Sequence, residues 1–434
     1  LYDNMGKRFK EVTEAVGLRT ERGALSATVF DADNDGDLDI YIGYYGSHAF
    51  NSSGCTPGIP GPDAPSICKA SELDSPSLDG RNGSANQLWR LEADDTYVEV
   101  GAESGVADVG WTLSVGAFDL DQDRDQDLYL ANDFGRNTLL RNNGDGTFED
   151  ITHTTLTGDR GSGMNVSVTD LNADGYWDLY VSNIDMYNKR IKVVWPTDNS
   201  PMKLDAQILR GFRYITGNKL YLYNPDPAPG GAMYTSAEHL HFEPGDRGWS
   251  WAALFVDVDN DGDEDMYLSN GWLPNSTARE QRNQLFIQDG GTFYHLANQG
   301  PESALGFSRG VSSFDADRDG DIDLLVSNLA RPPLLLNNIH TPATTTHRWI
   351  QIRLVGRGKN THAIGAQLAL KAGDTTMRRL ITGSIGFMGQ QETIASFGLG
   401  EQDWASLTIH WPDGTTQSLP KLAANTRHTI TQAP

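Results

Sequence analysis

The sequence predicts an all-β protein, a β-propeller followed by a small β-sandwich. Three observations carry this. A nine-residue acidic segment recurs five times, each time between two short apolar strands. A second strand pair, opening on Asn-x-Leu and turning into an aromatic strand, recurs after these hairpins. Beyond residue 347 the chain changes to plain alternation, at 367–371, 406–410 and 429–431, the period of half-buried strands. Four antiparallel strands repeated around an axis describe a propeller.

In chain order, residues 1–18 supply an outer hairpin with no acidic segment ahead of it. The five segments then hold Asp31, Asp33, Asp35, Asp37 and Asp39; Asp119, Asp121, Asp123, Asp125 and Asp127; Asp170, Asn172, Asp174, Tyr176 and Asp178; Asp257, Asp259, Asp261, Asp263 and Asp265; and Asp315, Asp317, Asp319, Asp321 and Asp323. Strands such as 27–30 and 253–256 precede them and strands such as 40–42 and 266–268 follow, so each segment connects a hairpin. The Asn-x-Leu strands start at Asn86, Asn137, Asn218 and Asn283. Segment spacings are 88, 51, 87 and 58 residues. The short values fit one four-stranded blade, and the long ones fit a blade with an insertion, at 46–85 and 185–217. Five complete units plus the first hairpin leave the ring short, and closure at seven blades is the expectation. The propeller then occupies residues 1–338, a Thr-rich linker 339–347 and the sandwich 348–434.

The first insertion carries both cysteines, Cys55 and Cys68, in a Gly/Pro/Ser-rich stretch with little means of ordering itself by packing. A local disulfide, and with it an oxidising compartment, is the expectation. In the second insertion Leu204, Ile208, Phe212 and Ile215 recur at helical spacing, which predicts one amphipathic helix packed as a lid. His239 and His241 share a strand face without a third ligand and read as surface histidines. Trp111, Trp249, Trp251 and Phe307 stand where first strands begin. There they either pack between blades or rim a central channel on which sugar rings could stack. Asn51, Asn82, Asn165 and Asn275 head Asn-x-Ser/Thr patterns, which matter only in a glycosylating host.

With 34 basic and 58 acidic side chains the formal charge is −24, which disfavours a nucleic-acid partner. No run approaches the roughly 18 apolar residues of a membrane helix. No leader precedes residue 1, so an export signal is expected to have been removed or to lie outside the chain. Five aspartates within nine residues repel one another unless a cation sits among them. Positions 1, 3 and 5 turn side-chain oxygens toward a common point, and Gly at position 6 allows the left-handed reversal. Position 7 adds a backbone carbonyl and position 9 closes the shell. Six or more hard oxygens in a flexible cage favour Ca²⁺ over Mg²⁺. An EF-hand does not fit, because position 12 is Ile42, Leu130, Val181, Leu268 or Val326 and strands flank the loop. The expectation is up to five Ca²⁺. The second site, with Arg124 at position 6, is expected to be the weakest, empty or neutralised by Arg124 itself, and the third is weakened by Asn172. Five divalent ions would offset 10 of the 24 excess negative charges, so the acidity needs no basic partner.

These segments resemble the FG-GAP or VCBS class of calcium-binding propeller repeats. Residues 131–137 and 140–148 are similar to the cartilage acidic protein group within that class, and residues 349–356, 363–366, 397–400 and 409–415 are similar to an ASPIC/UnbV domain. The resemblance covers nearly the whole chain, and the order of repeats before module is its specific part. It implies an exported calcium-binding propeller with metal ligands at positions 1, 3, 5 and 9 of each segment, and no catalytic residues.

No nucleophile elbow, zinc-protease helix, phosphate loop or paired Cys/His motif occurs. The preferred reading is a secreted, periplasmic or cell-surface protein that binds, adheres or scaffolds without catalysis. Its partner is a protein or glycan, met alone or within a homo- or hetero-oligomeric surface assembly. The alternative is a polysaccharide-binding enzyme such as a calcium-dependent lyase, with Lys189, Arg190, Arg210 and Arg213 as the available basic cluster.

Overall fold

The structure is a computed structural model that describes residues 1–19, 23–46, 80–133, 135–184, 217–227, 231–237, 248–271, 281–296, 300, 305–339 and 346–434. Cys55, Cys68, the expected helix, His239, His241, the basic cluster at 189–213, Asn51 and Asn275 lie outside the described residues.

Strands dominate, and a single turn of helix at Thr152–Thr155 is the exception among the described residues. Each acidic segment joins the first two strands of an antiparallel, up-and-down sheet. The first sheet is Ala24–Phe30, Asp39–Tyr44, Gln87–Leu91 and Tyr97–Glu99. The second is Thr112–Phe118, Asp127–Asn132, Thr138–Asn142 and Phe148–Asp150. The third is Asn165–Thr169, Asp178–Ser182, Lys219–Tyr223 and Tyr234–Ser236. The fourth is Ser250–Val256, Asp265–Asn270, Gln284–Asp289 and Thr292–His295. The fifth has three strands, Ser308–Phe314, Asp323–Asn328 and Leu334–Leu336. The hairpin Tyr2–Asn4 with Phe9–Glu11 precedes them, exposed on both strands. Among the described residues of 1–338, five sheets carry an acidic segment, and the remaining strands form two-stranded pairs, the first hairpin and Gln281–Arg282 with Leu305–Gly306, rather than two further four-stranded blades.

Leading strands of successive sheets pack against one another from the first sheet to the fifth. Burial on both faces explains their apolar character, and Thr112–Phe118 and Ser250–Val256 are buried throughout. Phe30, Val115 and Leu128 fill the space between sheets one and two, and Tyr180, Phe255 and Met266 fill that between three and four. The Asn of Asn-x-Leu has a specific task. Asn86, Asn137, Asn218 and Asn283 each accept, on Oδ1, the N–H of Tyr44, Asn132, Asn183 and Asn270 where the second strand ends, at 2.7–2.9 Å.

Residues beyond 347 form two facing sheets. One is Ile394–Gly400, Arg348–Val355 and Thr426–Thr431, the last two parallel. The other is Thr375–Leu380, Gln367–Ala372, Trp404–His410 and Thr416–Ala423. Ile350, Ile352, Leu370, Phe397, Leu407 and Ile409 are the buried core between them. This unit sits directly on the acidic ends of the five sheets. Its segment 381–391 also reaches between the first and fifth. A Cβ on Gly383 would lie 2.2 Å from the Val29 carbonyl oxygen. Gln391 Oε1 accepts the Ser313 N–H at 2.6 Å and its Oγ–H at 2.9 Å. Phe387 enters one apolar cluster with Leu113, Met164, Trp251 and Val311, which come from or adjoin the leading strands of four sheets.

That insertion decides the fate of the aromatic rim. Trp111, Trp251 and Phe307 are buried, the Phe387 ring lies 4.8 Å from that of Trp251, and the Arg309 guanidinium stands 3.9 Å over the Trp251 ring. A sugar-stacking surface at Trp251 is therefore replaced by packing.

Candidate metal centres

All five acidic segments adopt one backbone course. Position 4 (Asn34, Gln122, Ala173, Asn260, Arg318) has φ between 54° and 65°, and position 6 (Gly36, Arg124, Gly175, Gly262, Gly320) has φ between 87° and 107°. Two left-handed residues so close together curl the segment back on itself. Glycine meets that demand without strain at four of the five sixth positions. The position-5 carboxylate then accepts the position-7 N–H in every segment, at 2.9–3.0 Å.

The aspartate at position 9 ties segment to sheet. Asp39, Asp127, Asp178, Asp265 and Asp323 each accept the position-2 N–H on Oδ2 and a backbone N–H at the end of the third strand on Oδ1. Sequence reasoning assigned this residue to a metal shell, but its first task is structural, with lone pairs left over for ligation.

Carboxylate oxygens of Asp31, Asp33 and Asp39 lie within 4.8 Å of one another, as do those of Asp119, Asp121 and Asp123, of Asp257, Asp259 and Asp265, and of Asp315, Asp317 and Asp323. The third segment forms no such carboxylate triad among the described residues. Asn172 Nδ2 donates to Asp174 Oδ2 there at 2.9 Å, and Arg378 Nε stands 3.6 Å from Asp170 Oδ2. Within the four triads, the Oδ1 atoms of Asp33, Asp119, Asp257 and Asp315 are buried and have no hydrogen-bond partner. A buried bare carboxylate oxygen is costly, and a donor set made only of oxygens suits a hard divalent cation. The residues present fit one.

Electrostatics agree. Burial raises Asp39, Asp119 and Asp257 from the usual 3.8 to about 7, and Asp31 and Asp170 to about 6. Burial likewise raises Asp265 to about 9, with Asp257 and Asp259 adding repulsion. Without a cation these groups resist ionising.

Two features escaped the sequence. Position-4 amides reach the next segment: Asn34 Nδ2 donates to Asp125 Oδ1 at 2.7 Å, Gln122 Nε2 to the Gly175 carbonyl at 2.5 Å, and Asn260 Nδ2 to Asp321 Oδ1 at 2.9 Å. The amide type at position 4 was the available signal. At position 7 one oxygen of Asp37 meets Lys359 at 3.3 Å and Tyr176 stacks on Tyr223 at 4.8 Å, while Asp37 Oδ1, Asp263 Oδ1 and Asp321 Oδ2 are buried without a hydrogen-bond partner. Second, the C-terminal unit touches every segment, through Lys359 at Asp37, Gln367 at Asp119, Arg378 at Asp170, Gly398 at Asp257, and Gln351 with Arg427 at Asp315. Arg124 does not neutralise its own segment as expected. Its Nη1 donates to the Gly414 carbonyl at 2.7 Å.

Residues 119–181 match the model of an FG-GAP-like repeat, and residues 356–434 match that of ASPIC and UnbV. Cartilage acidic protein 1 of Homo sapiens is 26% identical over 418 residues, 93% of this chain and 52% of the human protein. The Mus musculus protein is 26% identical over 420 residues, 93% and 54% of the respective chains. The chain thus spans about half the length of these curated relatives. Among solved structures, the exotype rhamnogalacturonan lyase YesX aligns at a TM-score of 0.36 and 11% identity, covering 92% of this chain and 65% of that one, a likeness on which no argument rests. The chain carries an FG-GAP-like repeat followed by an ASPIC/UnbV region, and it is similar over most of its length to cartilage acidic protein 1.

Proposed function

We propose that this chain is a Ca²⁺-stabilised β-propeller, residues 1–338, with a β-sandwich, 348–434, seated on its acidic face, and that it is an exported, non-catalytic binding or scaffold protein. The observation that carries the calcium reading is the set of buried, partnerless oxygens on Asp33, Asp119, Asp257 and Asp315 inside carboxylate triads. A divalent cation would supply the partner that those four oxygens lack. Asp31, Asp33, Asp35 and Asp39, and their counterparts in the other segments, would hold it, with the position-7 carbonyl completing the shell. Strain at Arg124 places the second segment at the weak end of the five, and Asn172 with the nearby Arg378 places the third beside it.

Similarity to cartilage acidic protein 1 supports export, as does the reading of Cys55 and Cys68 as a disulfide. The acidic clusters lie beneath the C-terminal unit, and their carboxylates are committed to backbone and inter-unit hydrogen bonds, an arrangement for holding shape. Binding of a protein or glycan therefore falls to the outer surface. Among the described residues no helix is long and apolar enough to cross a membrane.

The test is thermal unfolding in excess chelator, with Ca²⁺ or Mg²⁺ then restored. A ligand bound only by the folded state raises the melting temperature. Ca²⁺ should restore it more fully than equal Mg²⁺, and a melting curve indifferent to chelation would sink the calcium reading. Screening against glycans and uronate polymers then separates binding from lyase action, since a lyase would release ultraviolet-absorbing products.

A further inference from the structure

In three segments the position-1 carboxylate is divided between two surroundings. Asp119 Oδ2 accepts Gln367 Nε2 at 2.6 Å, Asp257 Oδ2 accepts the Gly398 N–H at 2.9 Å beside the Gly262 N–H of its own segment at 3.0 Å, and Asp315 Oδ2 accepts Gln351 Nε2 at 3.0 Å. In each the other oxygen, Oδ1, is buried without a hydrogen-bond partner, and the residues are 3%, 4% and 8% exposed. Gln367, Gly398 and Gln351 all belong to the C-terminal unit, on three different strands, so no single local accident of chain geometry explains the pattern.

Each donor is itself held in place. Arg427 Nε donates to Gln351 Oε1 at 2.7 Å, which fixes the amide with its nitrogen toward Asp315. Gly398 can approach because it lacks a Cβ, which would lie 2.2 Å from Asp257 Oδ2 and 2.3 Å from the Asn260 backbone. Gln367 opens the strand Gln367–Ala372, whose neighbours Leu368 and Leu370 are buried in the core of the unit.

We propose that Gln367, Gly398 and Gln351 are positioning residues for the cation sites of the second, fourth and fifth segments. Each holds one oxygen of its aspartate and leaves the other to a divalent cation, so cation binding and the seating of the C-terminal unit are coupled. The proposal rests on the calcium reading above. Hydrogen bonds to the outer side of a metal ligand fix its orientation, and their removal costs about 10–100-fold in metal affinity. Coupling is reciprocal: if the seated unit tightens cation binding, bound cation tightens the seat. The first and third segments belong to another class. They meet the unit through the cations Lys359 and Arg378, which repel an arriving metal ion. At the fifth segment Arg427 Nη2, 3.5 Å from Asp315 Oδ2, adds charge of the same sign and makes its coupling weaker than at the other two.

The experiment uses the full chain, with Ca²⁺ followed by calorimetry and by hydrogen exchange. Gln367→Ala removes one donor from a half-buried position, and Gln351→Ala removes a second. Gln367→Ala should weaken one class of Ca²⁺ sites at least about 10-fold while the melting temperature in chelator stays near that of the unsubstituted chain. Gln351→Ala, at a buried position bonded to Asp315 and Arg427, should weaken another class by less and lower the melting temperature in chelator as well. In the unsubstituted chain, chelation should speed exchange of the Gly398 amide and leave Trp404–His410, on the other sheet, unchanged. If that chain takes up Ca²⁺ but the variants bind it identically and Gly398 exchange ignores chelation, the coupling is wrong and the calcium reading stands. If that chain takes up no Ca²⁺, both fall.

Discussion

Arg124 is the residue at which the repeated segment departs from its own pattern. With φ at +87° it occupies a region that costs an L side chain roughly 1–2 kcal/mol. Its guanidinium turns away from the carboxylates onto Gly414, so it lends charge to the neighbourhood without filling the site. Arg124→Gly should relieve the strain and give up one hydrogen bond of about 1 kcal/mol, leaving stability in chelator nearly unchanged. It should raise Ca²⁺ affinity at the second segment, read by calorimetry as a tighter class or one more bound ion. A looser class would count against the assignment of Arg124 as the weak point. Arginine at position 6 was visible in the sequence, and so was its strain. Where its side chain points was not, because Gly414 is 290 residues away.

At the scale of elements, two kinds of amide side chain carry the joinery, the Asn of Asn-x-Leu in four units and the position-4 amide in three. Asn137 is fully buried and accepts the Asn132 N–H, locking the third strand to the end of the second. Asn137→Ala leaves that donor bare and should cost about 1–3 kcal/mol in denaturant unfolding. Asn34 lies nearer the surface and bridges to Asp125 of the next sheet. Asn34→Ala should cost less, about 0.5–1.5 kcal/mol. If Asn34→Ala proved the more damaging, the order of burial would not be deciding the energetics. Asn-x-Leu was legible as a recurring motif because it repeats along one chain. Its hydrogen bond was not, since period and propensity say nothing about which backbone group a side chain meets.

At the scale of the molecule, the five sheets and the C-terminal unit share one interior through Phe387. Phe387→Ala opens a cavity beside Trp251 and Val311 and should cost about 3–5 kcal/mol. It should also make residues 381–391 more open to protease, and unchanged stability would mean that the segment only rests on the sheets. Acidity acts at the same scale. Asp39, Asp119 and Asp257 have folded pKa values of about 7 against the ordinary 3.8, so the cation-free fold takes up protons that the unfolded chain has released. Their destabilising effect is absent below about pH 4 and complete above about pH 7, and the chelated protein should lose melting temperature as pH rises between them. Bound cation keeps the same carboxylates ionised and reverses the sign, so the Ca²⁺-induced rise in melting temperature should grow from pH 5 to pH 8. A rise independent of pH would place the ions elsewhere.

The sequence by itself determined whatever repeats or is local: the strand–acidic loop–strand unit, its spacing, the curl at position 6, the oxygen-rich character of the segments and the alternation of the C-terminal strands. Those follow from side-chain period, backbone freedom and ligand chemistry, all of which are written within a few residues. Tertiary structure alone decided that the C-terminal unit covers the acidic face, that segment 381–391 enters between the first and fifth sheets, and that Trp251 is closed by Phe387. It also decided which oxygen of Asp119 and Asp315 is held and which is left bare. Each of these joins residues dozens to hundreds of positions apart, and no periodicity in a single chain encodes the partner of a side chain that leaves its own repeat.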